Sequence, residues 1–600
     1  MNLQLQRLLF PSPDTSMAEA LYFRRGNDTY FDVEAKKIVF QKDARVSFDT
    51  YFNGFSIGKW RKYTQIDELK LSILFSGKFV VSTVNYELIN GTIVGKVIGE
   101  TIVESSKKSE FVLSFNGFHQ KGMHTFVLMA LEDDSVFYGG GYYTDNVEEK
   151  DLQDVRIALN MCTYMREKYI LRNVSKVRDT LMDNPESPLY NNLFIYITDN
   201  AMTLKEEDFQ GKNIHLTKQN AFGSAGGFTR GLIHILDDQH EKKLSHAIML
   251  DDDIVLEPEV LCRTYMFLRM VKPEFRDAWL GGGMLGLDFP TLQAESGGLL
   301  ENGEYKSLKF YKDLSDLYPV LYNELEEGAR INAWWFCCIP LDTIGSSDLP
   351  YPVYFHCDDM EYAYRCCKKL ILLNGIVVWH EEFFYKPDTY YYDKRNREVL
   401  FSLHCPEFST KRKARKRLIK NVVDNILWYR YHDAEEILDG VEDFLKGPDW
   451  LIHTDDRAKF EAVRKNRVPT QPITQLSFQF DYNQYIASLT YPGESKRRRL
   501  FRRITLNGWL LPANREVIVR AEIPLTYNFY RAKRVLNYSV KNHSGYISRK
   551  EYGHALKILF RMIGLLGKIT TKYNRVRDAY RTSLPKLTTK EFWQKRYQEG

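Results

Sequence analysis

No stretch of this 600-residue chain holds the roughly 20 apolar residues that a bilayer-spanning helix needs, so any work at a membrane would be done lying on its surface. The eight cysteines, Cys162, Cys262, Cys337, Cys338, Cys357, Cys366, Cys367 and Cys405, make no C-x-x-C zinc pattern. The opening stretch MNLQLQRLLFPSPDTS has only a short apolar run broken by proline, unlike a secretory leader. Reduced, buried thiols in a cytosolic protein are therefore the expectation. The stretch NAFGSAGGFTR (220–230) matches neither the P-loop spacing nor the dinucleotide G-x-G-x-x-G fingerprint. A strong charge imbalance is also missing, since 83 basic side chains face 78 acidic ones for a net +5. The basic runs TKRKARKR (410–417) and KRRRLFRR (496–503) hold a single aromatic, Phe501, and match no known reading motif, so nucleic acid is not an expected partner.

What the chain does have is length and aromatic surface. Six hundred residues exceed one ordinary core and point to three or four domains. With 38 Tyr and 36 Phe, it can supply faces on which sugar rings would lie. Residues 1–150 read as an all-β sandwich, with strands around a Ser76-Gly77 turn and again around 132–135. Its aromatic entry, Tyr51, Phe52, Phe55, Trp60 and Tyr63, is either sandwich core or a carbohydrate platform, and core is the commoner use of such residues. Residues 151–400 alternate strands with helices, as a doubly wound nucleotide-binding fold does. Residues 401–600 turn mainly helical, with strand-like pieces over 470–525 that the pattern leaves unplaced.

The chemistry centres on HAIMLDDDIVLEPEVLC (246–262), where a buried-type strand ends in Asp251, Asp252 and Asp253 before a helix tolerating Pro258 in its first turn. Ligands gather beyond the carboxyl ends of such strands. Three adjacent carboxylates repel unless a cation lies among them, and oxygen ligands suit Mg2+ or Mn2+. Alternation puts Asp251 and Asp253 on one side and Asp252 on the other. A solvated acidic turn, or carboxylates answering a helix dipole, is the competing account.

Other candidates stand at the ends of neighbouring elements. DVRIALNMCTYMRE gives a strand to Cys162-Thr163 and a helix with Arg166 near its start, and NNLFIYITDNAM gives a strand ending at Asp199-Asn200. Gly226-Gly227 in NAFGSAGGFTR opens a helix and either lets backbone N–H groups approach a ligand or merely makes a turn. WLGGGMLGLDFPTLQAESGG reads as a glycine-rich loop carrying Glu295. In INAWWFCCIP, a strand would turn one of Trp334 and Trp335 inward and the other toward a ligand, with a core-only role equally open. Asp358 and Asp359 begin a helix, as caps often do, and LILLNGIVVWHEEFF delivers His380 at a strand end. In the last third, residues 554–569 place Leu556, Leu559, Ile563 and Leu566 on one side with Lys557, Arg561 and Lys568 nearby. That helix packs on its own domain or rests, with the basic runs, on an anionic membrane.

The ordered set CTYMR, ITDN, GSAGGFTRG, MLDDDI, QAES, AWWF, CDDMEY and VWHEE resembles the family 2 glycosyltransferases of the GT-A fold, and more narrowly the polymerising galactofuranosyltransferases of cell-wall galactan. The resemblance implies an α/β GT-A domain between an N-terminal β-sandwich and a mainly helical C-terminal region. It further implies that Asp251, Asp253 and His380 hold a divalent cation, Mn2+ or Mg2+, and that Arg166, Asp199, Asn200, Asp252 and the Gly226-Gly227 turn serve a UDP-galactofuranose donor. Glu295 would line the donor sugar, while Trp334, Trp335 and Phe383 would line the acceptor. Asp359 would be the general base with Asp358 beside it. Phe383 departs from the family, which carries tryptophan there. The implied enzyme is inverting, takes a lipid-linked glycan as acceptor, and works from the cytoplasm at the inner membrane face, as a homo-oligomer in one reading. Another sugar donor, such as UDP-galactopyranose or a rhamnosyl nucleotide, and a non-catalytic glycan-binding scaffold are the competing functions.

Overall fold

The computed structural model describes residues 3–115, 121–145, 147–382, 389–465, 468–522, 524–540 and 543–599. By its internal packing the chain forms two compact units, the first of residues 1–350, 362–382 and 589–600, the second of residues 351–361 and 383–588.

The first unit opens with antiparallel strands joined in one branched sheet. Its spine is the strand Lys70–Ile89, which pairs with Ser135–Thr144 along its first part and with Met123–Ala130 along its second. The expected turn at Ser76-Gly77 is corrected to a bulge within this single strand. Gly77 supplies φ of 96°, and a Cβ there would lie 2.7 Å from Ser135 Cα, but the chain does not reverse. A bulge that changes a strand's partner carries the sheet across its own core, which gives the two-layered β module. The aromatic entry is core, not platform. Phe52 packs 5.7 Å from Trp379, Trp60 5.2 Å from Phe267 and Tyr63 4.9 Å from Phe275, so these rings join the sandwich to the α/β layer of the same unit.

That layer is built on β1 (Ile157–Thr163), β2 (Leu193–Asp199), β3 (Ile214–Lys218), β4 (His246–Asp251), β5 (Trp279–Gly286), β6 (Cys337–Pro340) and β7 (Leu370–His380). The order 3-2-1-4 is parallel, β6 runs antiparallel between β4 and β5, and β7 lies parallel to β5. The short apolar runs make strands buried on both faces, as a parallel sheet covered by helices requires. Helices α1 (Glu167–Val177), α2 (Gly223–Lys242) and α3 (Glu259–Met270) form the crossovers. The expected glycine-rich loop is corrected to strand β5. Its glycines make room for large neighbours, because a Cβ on Gly281 would meet Asn332 and Leu372, and one on Gly282 would meet Phe336 at 2.8 Å.

Helix α4 (Asp358–Cys366) carries the boundary between the units. The second unit is organised by α5 (Tyr390–His404), α6 (Lys411–Leu427), α7 (Tyr431–Phe444) and α8 (Tyr552–Leu587). Thr410 caps α6 by accepting from the Lys413 N–H at 3.3 Å. The strand-like pieces over 470–525 belong to a small sheet of Gln471–Pro472, Arg515–Arg520, Ala532–Ser539 and Ser544–Arg549. Helix α8 buries Ala555, Ile558, Met562, Leu565 and Ile569, whereas Leu556 and Ile563 of the expected apolar side are exposed. The helix carries two apolar stripes and packs by the first, while Arg561 and Lys568 pair with Asp439 and Glu442 of α7. None of the eight cysteines is in a disulfide, and among the described residues no helix is long and apolar enough to cross a membrane.

Candidate active site

Strand register assembles the first group of polar residues. Cys162 lies opposite Asp251 and Thr163 opposite Asp199, so β1, β2 and β4 end at one edge. The aspartate turn is then stitched to β7, because Val255 pairs with Trp379. Asn173 on α1 donates to the carbonyl oxygens of Asp252 at 2.9 Å and Ile254 at 3.0 Å, fixing the turn from the other side. Thus His380 Nε2 comes within 3.2 Å of Asp253 Oδ1. Asp251, Asp253 and His380 each offer one ligand atom, all within 4.8 Å of one another.

Asp252 points elsewhere, accepting from Thr163 Oγ1 at 2.6 Å and from Arg166 Nη1 at 3.1 Å. The same guanidinium nitrogen lies 2.6 Å from Asp253 Oδ2, so Arg166 bridges two of the three aspartates. Burial drives the Asp251 carboxyl up to about 7, with the neighbouring aspartates adding to the shift and His380 opposing it. Burial also opposes ionisation of Asp253, but the His380 hydrogen bond and the positive charges of His380 and Arg166 outweigh it, and its carboxyl falls to about 2. Two carboxylates and an imidazole of this spacing fit a hard divalent cation, whose charge would relieve the cost of ionising Asp251.

Asp199, Asn200, Gly226 and Gly227 form a second group whose visible bonds are internal. Asp199 accepts from the N–H groups of Ala201 at 2.9 Å and Leu204 at 2.8 Å. Asn200 donates to Cys162 Sγ at 3.1 Å and to Gly223 O at 2.9 Å, and accepts from Gln219 at 2.7 Å. The expectation that the glycine pair turns free N–H groups to a ligand is corrected. Gly226 N–H donates to Phe222 O at 3.3 Å within α2, and a Cβ on Gly227 would lie 2.1 Å from Cys162 Sγ and 2.7 Å from Asn200 Nδ2. These are glycines of close packing.

The tryptophan pair sits in a turn before β6, not on a strand, and both rings are buried. The expectation of one inward and one ligand-facing ring on a strand is corrected accordingly. Trp335 donates to Gly282 O at 2.9 Å and belongs to the main core. Trp334 packs edge-on 4.9 Å from Phe228 of α2, and its Nε1 finds no acceptor among the described residues. Glu295 lies opposite Met284 of β5, and burial pushes its carboxyl up to about 7 against the hydroxyls of Ser307 and Tyr305.

Asp358 and Asp359 are set in the second unit, in the first turn of α4. Three residues just before them, Tyr354, His356 and Cys357, have φ of 75°, 65° and 64°. Phe383 lies outside the described residues. Sequence reasoning missed Thr163 and Asn173, since a polar residue inside an apolar pattern does not say which distant backbone it serves.

The family described as Galactofuranosyltransferase 2 N-terminal matches residues 5–145. A galactofuranosyltransferase GlfT2 of Mycolicibacterium smegmatis is 22% identical over 609 residues, covering 92% of this chain and 88% of the relative. The GlfT2 of Mycobacterium tuberculosis is 22% identical over 440 residues, 68% of this chain and 66% of that protein. The chain is a glycosyltransferase. Among solved structures, the mannosyltransferase PcManGT of Pyrobaculum calidifontis, in complex with GDP-Man and Mn2+, is 12% identical with a TM-score of 0.26, over 53% of this glycosyltransferase and 82% of that chain. The α/β layer of the glycosyltransferase, flanked by an N-terminal β module and a mainly helical C-terminal region, has the GT-A arrangement.

Proposed function

We propose that this glycosyltransferase moves galactofuranose from UDP-galactofuranose to a hydroxyl of a glycan acceptor, with inversion at the anomeric carbon. The observation that carries the reading is the convergence of Asp251, Asp253 and His380 where β4 and β7 end, in a chain similar to galactofuranosyltransferases over most of its length.

Asp251, Asp253 and His380 would hold a divalent cation, Mn2+ or Mg2+, which when bound would neutralise charge on a leaving diphosphate. Arg166 orients Asp252 and Asp253 and favours their ionised forms against burial, and its remaining N–H groups serve the nucleotide together with Asn200 and Asp199. Gly226 and Gly227 act on the donor through Asn200, whose place they define. Trp334, whose buried indole N–H has no acceptor among the described residues, would line the sugar and acceptor pocket with Glu295 and Phe383, and Trp335 would back it from the core. On the acceptor side, Asp359 takes the proton of the attacking hydroxyl, and Asp358 positions that hydroxyl. One base and direct displacement invert the anomeric centre.

The acceptor is proposed to be lipid-linked and reached from the cytoplasmic membrane face. Support comes from exposed apolar side chains beside basic ones in the second unit: Leu500, Phe501 and Ile504 in KRRRLFRRI, and Leu556, Phe560 and Ile563 on α8. A homo-oligomer is compatible with this placement.

The deciding experiment offers the purified protein UDP-galactofuranose, UDP-galactopyranose and a rhamnosyl nucleotide in turn, with Mn2+ and a synthetic galactofuranosyl acceptor, and reads product mass and linkage. Extension from UDP-galactofuranose alone is expected. Extension from another donor would reassign the sugar, and none from any donor would leave a glycan-binding scaffold.

A further inference from the structure

The last helix, α9 (Lys590–Glu599), follows the entire second unit in the chain yet packs with the first. Its grip is on the start of α2. Trp593, 1% exposed, donates from Nε1 to Pro350 O at 3.0 Å. The Tyr597 hydroxyl donates to Gly226 O at 2.7 Å. The Tyr597 ring stands edge-on 5.3 Å from Phe222, with the Arg230 guanidinium 4.9 Å over its face. Lys590, one turn earlier, pairs with Asp237 further along α2.

That stretch of α2 needs outside support. It begins at Gly223, whose φ is 69°, and its N-cap residue, Phe222, makes no side-chain cap hydrogen bond. Its first turns read GSAGG, and glycine is a poor helix former because it gives up the most backbone freedom. Gly226 is nevertheless required there, since a Cβ would press on Phe222 at 2.3 Å and touch the Trp593 ring at 3.5 Å. The other side of the same turns bears on the site. Gly223 O holds the Asn200 amide, Gly227 packs on Asn200 and Cys162, and Phe228 carries Trp334.

We propose that the C-terminal helix is a clasp for the nucleotide-binding wall, with Tyr597 and Trp593 as positioning residues that keep the start of α2, and through it Asn200, in the geometry that binds a nucleoside diphosphate. The inference rests on the proposed donor role of Asn200. It assigns function to residues that touch neither donor nor acceptor.

The test uses Tyr597→Phe and Trp593→Leu in the full chain, with hydrogen exchange of residues 222–230, UDP affinity by calorimetry with Mn2+, and steady-state kinetics. Tyr597→Phe should speed exchange in that segment and raise the UDP Kd and donor KM together by about fivefold, the usual net worth of one hydrogen bond, with kcat within about twofold. Trp593→Leu should do more. If Trp593→Leu fails to fold, the milder Tyr597→Phe decides alone. Faster exchange with unchanged UDP affinity would make the helix a structural support only and overturn the proposal, as would wild-type exchange in Tyr597→Phe. Wild-type protein that binds no UDP would overturn the site reading and this inference with it, whereas loss of affinity in the variants alone supports both.

Discussion

The carboxamide of Asn396 donates to the carbonyl oxygen of His356 at 2.9 Å. The same group reaches Phe355 O at 2.8 Å and Val353 O at 3.0 Å, and Arg395 adds a bond to Val353 O at 2.7 Å. These two buried side chains of α5 hold the turn in which Tyr354, His356 and Cys357 are left-handed. Such conformations cost about 1–3 kcal/mol each in residues with side chains, and persist only where the surroundings enforce them. Asn396→Ala should let the turn relax and shift the start of α4. Turnover is expected to fall about 10- to 100-fold, as small misplacements of reacting groups do, while UDP affinity stays within about twofold. Parallel measurement of kcat and UDP titration on one preparation checks it, and wild-type turnover would disconnect the turn from the chemistry.

Asp359 makes a sharper case. Its Oδ1 accepts from the Met360 N–H at 2.7 Å, which orients the carboxylate. Removing a general base typically costs 10²–10⁴-fold, so Asp359→Ala should lower turnover by about 100-fold or more with donor binding intact. The readout is product formation beside UDP calorimetry, and near-normal turnover would take Asp359 out of the mechanism.

Asp253→Asn removes one carboxylate from the group shared with Asp251 and His380, and also the 2.6 Å partner of Arg166. In the wild type, chelation of divalent ions should weaken UDP binding strongly. In the variant, UDP binding is expected to be weak with or without Mn2+, because the remaining ligands are too few to fix the ion against the diphosphate. Calorimetric titrations with Mn2+ and with a chelator distinguish the cases. Identical Mn2+-dependence in variant and wild type would sink the metal assignment.

Much of the layout around β4 and β7 was legible in the sequence, because short apolar runs ending abruptly in Asp251 and His380 mark strand ends whatever the rest of the fold does. The failures share one cause. Gly281 and Gly282 suggest a loop when read locally, but they are small because Asn332 and Phe336 occupy the space, and those partners are dozens of residues away. Gly77 gave a turn for the same reason, since a positive φ serves a bulge as readily as a reversal. Trp334 and Trp335 were placed on a strand that starts two residues later, at Cys337. Tyr597 and Trp593 gave no local sign of their contact with Gly226, because nothing in a terminal amphipathic stretch names the surface it will cover.

The exposed apolar groups of the second unit yield a prediction about membranes. Phe560 is 71% exposed and Ile563 60% exposed on one side of α8, in a stretch that also carries Lys557, Arg561 and Lys568. Burial of one such side chain in lipid is worth about 1.5–3 kcal/mol. Phe560→Ser with Ile563→Ser should therefore reduce co-sedimentation with vesicles containing anionic lipid by at least about tenfold, while leaving UDP affinity unchanged. Equal sedimentation of both proteins would remove this face from membrane contact.

His246 opens β4 with its ring buried and Nδ1 2.9 Å from Ser245 Oγ. Burial holds its pKa down at about 4, against the ordinary 6.5 of an exposed histidine. Below pH 6.5 the unfolded chain takes up this proton before the folded one does, so the stabilisation is complete above that pH and is lost as pH falls toward 4. At about 1.4 kcal/mol per pH unit of separation, the loss for this one group approaches roughly 3 kcal/mol. Other groups titrate in the same range, and the buried Glu295 carboxyl, raised to about 7, acts in the opposite sense. The comparison that isolates His246 is therefore wild type against His246→Asn, with chemical denaturation followed at pH 7 and pH 4.5. The variant should be the less stable protein at pH 7 and should lose part of that disadvantage at pH 4.5, where the wild-type ring is close to being protonated. A stability difference that stays constant across this range would mean that the ring contributes by packing and not by its suppressed titration.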